Sequence, residues 1–177
     1  MSSMLNRPAI FIVVGVVIAV ALFFLRRRGS YLVFDRKGFR ARIMTPSYVS
    51  VSQIPAVFNQ LKAAQKEASW AVFVFCPVGE PANDQTVVNL QYSVVNGAIG
   101  LDWVLLSPRN IADKDKIAAF IKDRHYAVSE RELNGVRFLR VEDGNLVQLG
   151  IQIVREFYHL PENSQMEFNK DGFDFRP

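Results

Sequence analysis

Residues 9–25 read AIFIVVGVVIAVALFFL, a run with no polar side chain on any face. In lipid the backbone has to satisfy its own hydrogen bonds, so such a run predicts a helix despite its β-branched residues. At 1.5 Å per residue it would be about 26 Å long, at the short end of what crosses a hydrocarbon core. Phe23, Phe24, Leu25 and the arginines 26–28 follow it. That is a poor cleavage site for a signal peptide and a good stop, so the run predicts a retained anchor.

The pattern then changes to short alternating and helical stretches. Residues 31–35 and 39–45 predict two strands around the turn Asp35-Arg36-Lys37-Gly38. Pro46, Ser47 and Ser50 break that pattern. Ser50-x-x-Gln53 resembles a capping box, Pro55 suits a first turn, and Ile54, Val57, Phe58, Leu61 and Ala64 form a helical stripe to about Glu67. Residues 71–76 (AVFVFC) predict a strand buried on both faces, followed by a polar loop from Pro77 to Asp84. Residues 86–95 and 99–106 flank Asn96-Gly97, a strong hairpin signal. A helical region starts at Ser107-Pro108, capped by Ser107 or Asn110, with Ile117, Phe120 and Ile121 inward. Residues 126–132 and 136–141 flank a second such turn, Asn134-Gly135. Asp143-Gly144-Asn145 opens a last helix with Leu146, Leu149, Ile153, Val154 and Phe157 on one face, ended by Pro161. Met166, Phe168, Phe173 and Phe175 alternate enough for a short final strand.

The expected fold class is α+β: a mainly antiparallel sheet with about three packed helices, preceded by one transmembrane helix. The organisation expected is a short tail (1–8), the span (9–25), a basic hinge (26–30) and one soluble domain (31–177). From about residue 50 to 160 the order is helix, three strands, helix, two strands, helix. That order resembles the fold of type III secretion chaperones and related small bacterial domains. The resemblance implies a dimeric binding module. It carries no functional residue over, because no motif supports it, and the added hairpin and anchor depart from the soluble chaperones.

Charge changes the picture in one respect. The chain has 21 basic and 17 acidic residues, a net charge of +4. Arg7, Arg26, Arg27 and Arg28 account for that excess, so the soluble part is formally neutral. A nucleic-acid partner is therefore not expected, since it would call for a basic stripe on the domain itself. The basic cluster sits beside the apolar run instead. Arg26, Arg27 and Arg28, with Arg36, Lys37, Arg40 and Arg42 beyond them, place that side in the cytoplasm by the positive-inside rule. The three arginines are the expected membrane-interface residues, facing anionic headgroups. The expected location is an inner or plasma membrane, single-pass, with the N-terminus outside. A lone cysteine, Cys76, gives no internal disulfide.

Candidate chemistry is sparse. There is no phosphate loop, no dinucleotide fingerprint and no nucleophile elbow. Cys76, His125 and His159 lack zinc spacing, so neither metal nor cofactor is expected. Cys76 reads as a buried thiol, and both histidines as helix-end residues. Asp102 reads as the solvent-facing position of an alternating strand. Glu130 and Glu132 are expected to pair across the hairpin with Arg137 or Arg140. Phe168, Phe173 and Phe175 either close the core as an edge strand or form a partner-binding patch.

These readings lead to the expectation of a membrane-tethered, non-enzymatic interaction module, an accessory, assembly or scaffolding subunit of a larger membrane complex. Its partners would be the lipid bilayer, proteins of that complex, and a second copy if the chain dimerises. A membrane-anchored enzyme with an unrecognised site, and a lipid or ligand sensor, are the alternatives.

Overall fold

The computed structural model describes residues 31–34, 41–44, 47–133 and 135–175. The chain divides into two compact units, Met1–Pro46 and Ser47–Pro177. In the first, β1 (Tyr31–Phe34) pairs antiparallel with β2 (Ala41–Met44), Tyr31 opposite Met44. The apolar run 9–25, the arginines 26–28 and the turn 35–38 lie outside the described residues. Among the described residues no helix is long and apolar enough to cross a membrane.

The second unit is α+β. Its seven strands are β3 (Ser47–Ser50), β4 (Trp70–Phe75), β5 (Val88–Val95), β6 (Ala98–Val104), β7 (Ser129–Leu133), β8 (Val136–Val141) and β9 (Gln165–Asp171). They form one antiparallel sheet in the order β3-β9-β4-β5-β6-β8-β7. Four helices accompany it: α1 (Ile54–Ala64), α2 (Pro108–Ala112), α3 (Lys114–Lys122) and α4 (Leu146–Gln152). A 3-10 turn, Val51–Gln53, leads into α1, and a π-helical turn, Ile153–Phe157, extends α4.

The core lies between one face of the sheet and the helices. Side chains directly opposite on paired strands share a face. The register therefore sets Phe168, Phe73, Leu90, Trp103 and Leu139 in a row across five strands. Ala71, Tyr92, Leu101 and Val141 form the next row. Against them pack Ile54, Val57, Phe58 and Leu61 of α1, Ile117 and Ile121 of α3, and Leu146, Leu149, Ile153 and Val154 of the last helix. Burying each large apolar side chain contributes about 1.5–3 kcal/mol. Polar tips are tied off: Tyr92 Oη donates to the Leu146 carbonyl at 2.9 Å, and the Trp103 indole N–H to that of Asn110 at 2.9 Å.

Both two-residue hairpins follow the sequence signals. Val95 is opposite Ala98 across Asn96-Gly97, and Leu133 is opposite Val136. Three features differ from expectation. First, β3 was read as a break. It carries only one buried residue, Val49, and is held by pairing with β9. Second, β9 is not an edge strand, because β3 pairs on its outer side.

Third, the helical region after Ser107 is two helices, broken at Asp113. Ser107 is the cap, accepting from the Asn110 backbone N–H at 3.1 Å. The Asn110 side chain is fully buried and serves the sheet instead. It accepts from the Asn89 N–H at 3.0 Å and donates to the carbonyls of Asn89 and Val104 at 2.7 and 2.8 Å. Of the two readings of the C-terminal rings, core or partner-binding patch, the structure shows the core: Phe168 of β9 and Phe173 beyond it are buried, and the half-buried Phe175 ring packs edge-on against Phe168 at 5.3 Å. Phe168 itself packs against Phe73.

Candidate functional site

Among the described residues, the other face of the sheet carries no helix. Across it, from the β3 side, lie Tyr48, then Glu167 and Asn169, then Trp70, Val72 and Val74. Next come Gln91, Ser93 and Val95, then Asp102 and Val104, then Val136, Phe138 and Arg140, and last Arg131 and Leu133. Trp70, Val72, Val74, Val95, Val104 and Val136 are half-buried and stand outside the core cluster. Leu106 and Leu133 are 66% and 52% exposed.

A charged network is sunk into this face. Asp102 and Arg140, directly opposite on β6 and β8, are 2% and 1% exposed. Arg140 Nη1 donates to Asp102 Oδ1 at 2.7 Å and to Ser93 Oγ at 2.9 Å. Its Nη2 donates to the carbonyls of Ala98 and Ser93 at 2.9 and 3.4 Å, and its Nε to Glu142 Oε1 at 2.8 Å. Ser93 Oγ in turn donates to Asp102 Oδ2. Every guanidinium proton thus has an acceptor. The site exists because residue 100 is glycine: a Cβ there would lie 2.4 Å from Arg140 Cζ. Burial pushes the Asp102 carboxyl above its usual range, against the opposing pull of Arg140 and Ser93. Glu142 accepts from Arg140 and Arg131, which hold its carboxyl below the usual range.

Beside the network is a shallow hollow of about 200 Å³. Val95, Val104, Leu106, Leu133, Val136 and Phe138 wall it, with Gln91, Ser93 and Asp102 as its polar lining. No buried side-chain nitrogen or oxygen among the described residues lacks a partner. Each buried polar atom of the network thus has a partner, and beside it the face offers apolar surface.

Alternation put Asp102 on the correct face but left it in solvent. The residues that cover it come from β5 and β8. Of the two arginines expected to face Glu130 and Glu132, Arg137 does pair with Glu130, which also accepts from Lys114 at 2.6 Å, whereas Arg140 pairs with Asp102. The signals that could have found the network are Gly100 inside a strand and an arginine in the otherwise apolar run FLRV.

The other sequence candidates do not converge into a site. Cys76 is half-buried just after β4, rather than fully buried. His125 and His159 are exposed, with φ of 63° and 58°, and each follows the end of a helical segment. Among the described residues no group of three or more His, Cys, Asp or Glu is placed to hold a metal ion. A second cluster joins Asp113, Arg109, Glu80, Lys116 and Tyr158. Arg109 spans Asp113 and Glu80, and Tyr158 Oη donates to Asp113 Oδ2 at 3.0 Å. Burial acts to raise the Asp113 carboxyl, but the bonds from Arg109 and Tyr158 outweigh it and hold it below the usual range. This cluster ties α2, α3 and the last helix together.

Searches of protein-family models, curated proteins and solved structures found no match.

Proposed function

We propose that this chain is a membrane-tethered, non-enzymatic interaction module, an accessory or scaffolding subunit that holds a partner protein at the cytoplasmic surface of an inner or plasma membrane. One observation carries the reading: on the sheet face away from the described helices, Trp70, Val72, Val74, Val95, Val104 and Val136 are half-buried and stand outside the core cluster. Contiguous apolar surface rimmed by polar residues marks interaction sites. The apolar run 9–25 with Arg26, Arg27 and Arg28 supports the tether. The resemblance of the element order to that of secretion chaperones supports a binding role in the same direction.

The test is purification of the full-length protein in mild detergent beside a Val72→Glu variant. Val72 is half-buried on the helix-free face, so the variant is expected to keep the parent's circular dichroism and melting curve. A stoichiometric partner held by the parent and lost by the variant is the expected result. A parent that purifies alone, or a variant that keeps its partner, sinks the reading. For the tether, alkaline carbonate should leave the parent in the membrane pellet. Replacing residues 9–25 by a polar linker should release it to the supernatant.

A further inference from the structure

We propose that Asn96 is a site of spontaneous modification, deamidation through a cyclic imide, and that Glu67 is the residue that holds it in check. Asn96-Gly97 is the turn between β5 and β6, and both residues are exposed. The reaction needs only this dipeptide and water. The Gly97 nitrogen gives up its proton and attacks Asn96 Cγ. A bond forms between them, the Cγ–Nδ2 bond breaks, and ammonia leaves with that proton. Water then opens the imide at either carbonyl, giving aspartate or isoaspartate. Glycine favours the attack, because with no Cβ its backbone approaches closely.

Glu67 engages the groups that have to move. Its Oε1 accepts from the Asn96 N–H and its Oε2 from the Gly97 N–H, each at 3.0 Å. Ring closure turns the Asn96–Gly97 peptide about the Asn96 Cα–C bond until the Gly97 nitrogen faces Cγ. With both N–H groups on one carboxylate, that turn breaks the Gly97 bond. The negative charge also opposes loss of the Gly97 proton, since it disfavours a second anion beside it. Glu67 is itself held in place. The next residue, Ala68, donates its N–H to the Val94 carbonyl at 3.1 Å, and the Val94 N–H donates to the Ser69 carbonyl at 2.9 Å. Ala68 has φ 61°, a left-handed conformation unfavourable for a residue with a Cβ, so the chain bends sharply to set Glu67 over the hairpin.

The position of the turn gives the modification a consequence. Val95 is opposite Ala98 across it, and the Ala98 carbonyl accepts from Arg140 Nη2 at 2.9 Å. Isoaspartate routes the main chain through an extra carbon, which disturbs that register and carries the damage to the buried Asp102–Arg140 network.

The test ages the full chain in mild detergent at neutral pH, beside the same chain unfolded in urea. Peptides holding Asn96 and Asn134 are followed by mass spectrometry, with chromatographic separation of aspartyl from isoaspartyl forms. The folded parent should convert Asn96 more slowly than the unfolded chain. Glu67→Ala should speed that conversion about three- to tenfold, the size of one net hydrogen bond. Asn134-Gly135 is the other such dipeptide of the chain, and its rate should stay the same in the variant. A rise at both asparagines means that the variant unfolds. Glu67→Gln, which keeps the side-chain shape but lacks the charge and one acceptor oxygen, then decides by the same comparison. Asn96 converting as fast in the folded parent as in urea, or a rate in the Glu67 variants no higher than the parent's, would overturn the proposal. An aged Glu67→Ala sample rich in isoaspartate should melt lower than a fresh one, and an unchanged melting curve would overturn the link from the turn to Arg140.

Discussion

Arg140 is buried with one carboxylate facing it across a strand pair, so the two residues are energetically coupled. Removing one member of such a pair leaves an uncompensated charge and costs about 3–5 kcal/mol, whereas replacing both by apolar residues of similar size is often near neutral. Asp102→Ala should therefore lose stability in urea denaturation, by less than that full amount because Glu142 still pairs with Arg140 Nε at 2.8 Å. Asp102→Leu with Arg140→Met should recover most of it. If the single variant cost no more than an ordinary surface substitution, the network would not hold this face together. Gly100→Ala drives a methyl into the guanidinium and should cost about 1–3 kcal/mol, less in an Arg140→Met background. This residue-level network was the least legible part of the chain. Alternation reports which face a side chain takes, not what its neighbours on other strands bring over it. Ser93, Gly100, Asp102 and Arg140 come from three strands whose register the local sequence does not state.

Elements with local signals were legible, and those without were not. Asn-Gly turns, the Ser107 and Asn145 caps and the α1 stripe all announce themselves within a few residues. The break at Asp113 does not, because the carboxylate that occupies it is held by Tyr158, 45 residues later. The π-helical turn is equally silent. There the Tyr158 N–H donates to the Ile153 carbonyl five residues back, at 3.1 Å. The wider turn brings Tyr158 onto Trp103, rings stacked at 6.0 Å. Strand β7 shows how an edge is kept unpaired. All its residues are exposed, and they read Ser-Glu-Arg-Glu-Leu. In a two-fold antiparallel pairing centred on Arg131, that arginine meets its own copy and Glu130 meets Glu132. Like charges directly opposite are destabilising. Replacing Glu130, Arg131 and Glu132 by threonine should shift the protein to larger species in sedimentation velocity. An unchanged profile would show that something other than these charges protects the edge.

Three lowered carboxyls shape the acid response of the second unit. Asp113, Glu130 and Glu142 have folded-state values below their unfolded ones, so each contributes stability that is present above about pH 4 and lost as pH falls through its folded value. Asp102 runs the other way, with its contribution greatest at low pH and lost as pH rises through its raised value. Three groups oppose one, and melting temperature should fall on acidification from pH 5 to 3. Asp113→Asn should melt lower at pH 7 and show a shallower fall over that interval; an unchanged slope would remove Asp113 from the account. At this scale the α+β class and the antiparallel sheet were readable from the element order, but the position of β9 was not. Its order in the sheet bears on synthesis. Ser47 pairs with Phe168, 121 positions away, and β4 has β9 as its second neighbour. Until residues 165–171 leave the ribosome, β3 has no strand to join and β4 has an open side. The nascent domain must wait for its last strand, and any stall before that point exposes Phe73 and its row to whatever chaperone or aggregate reaches them first.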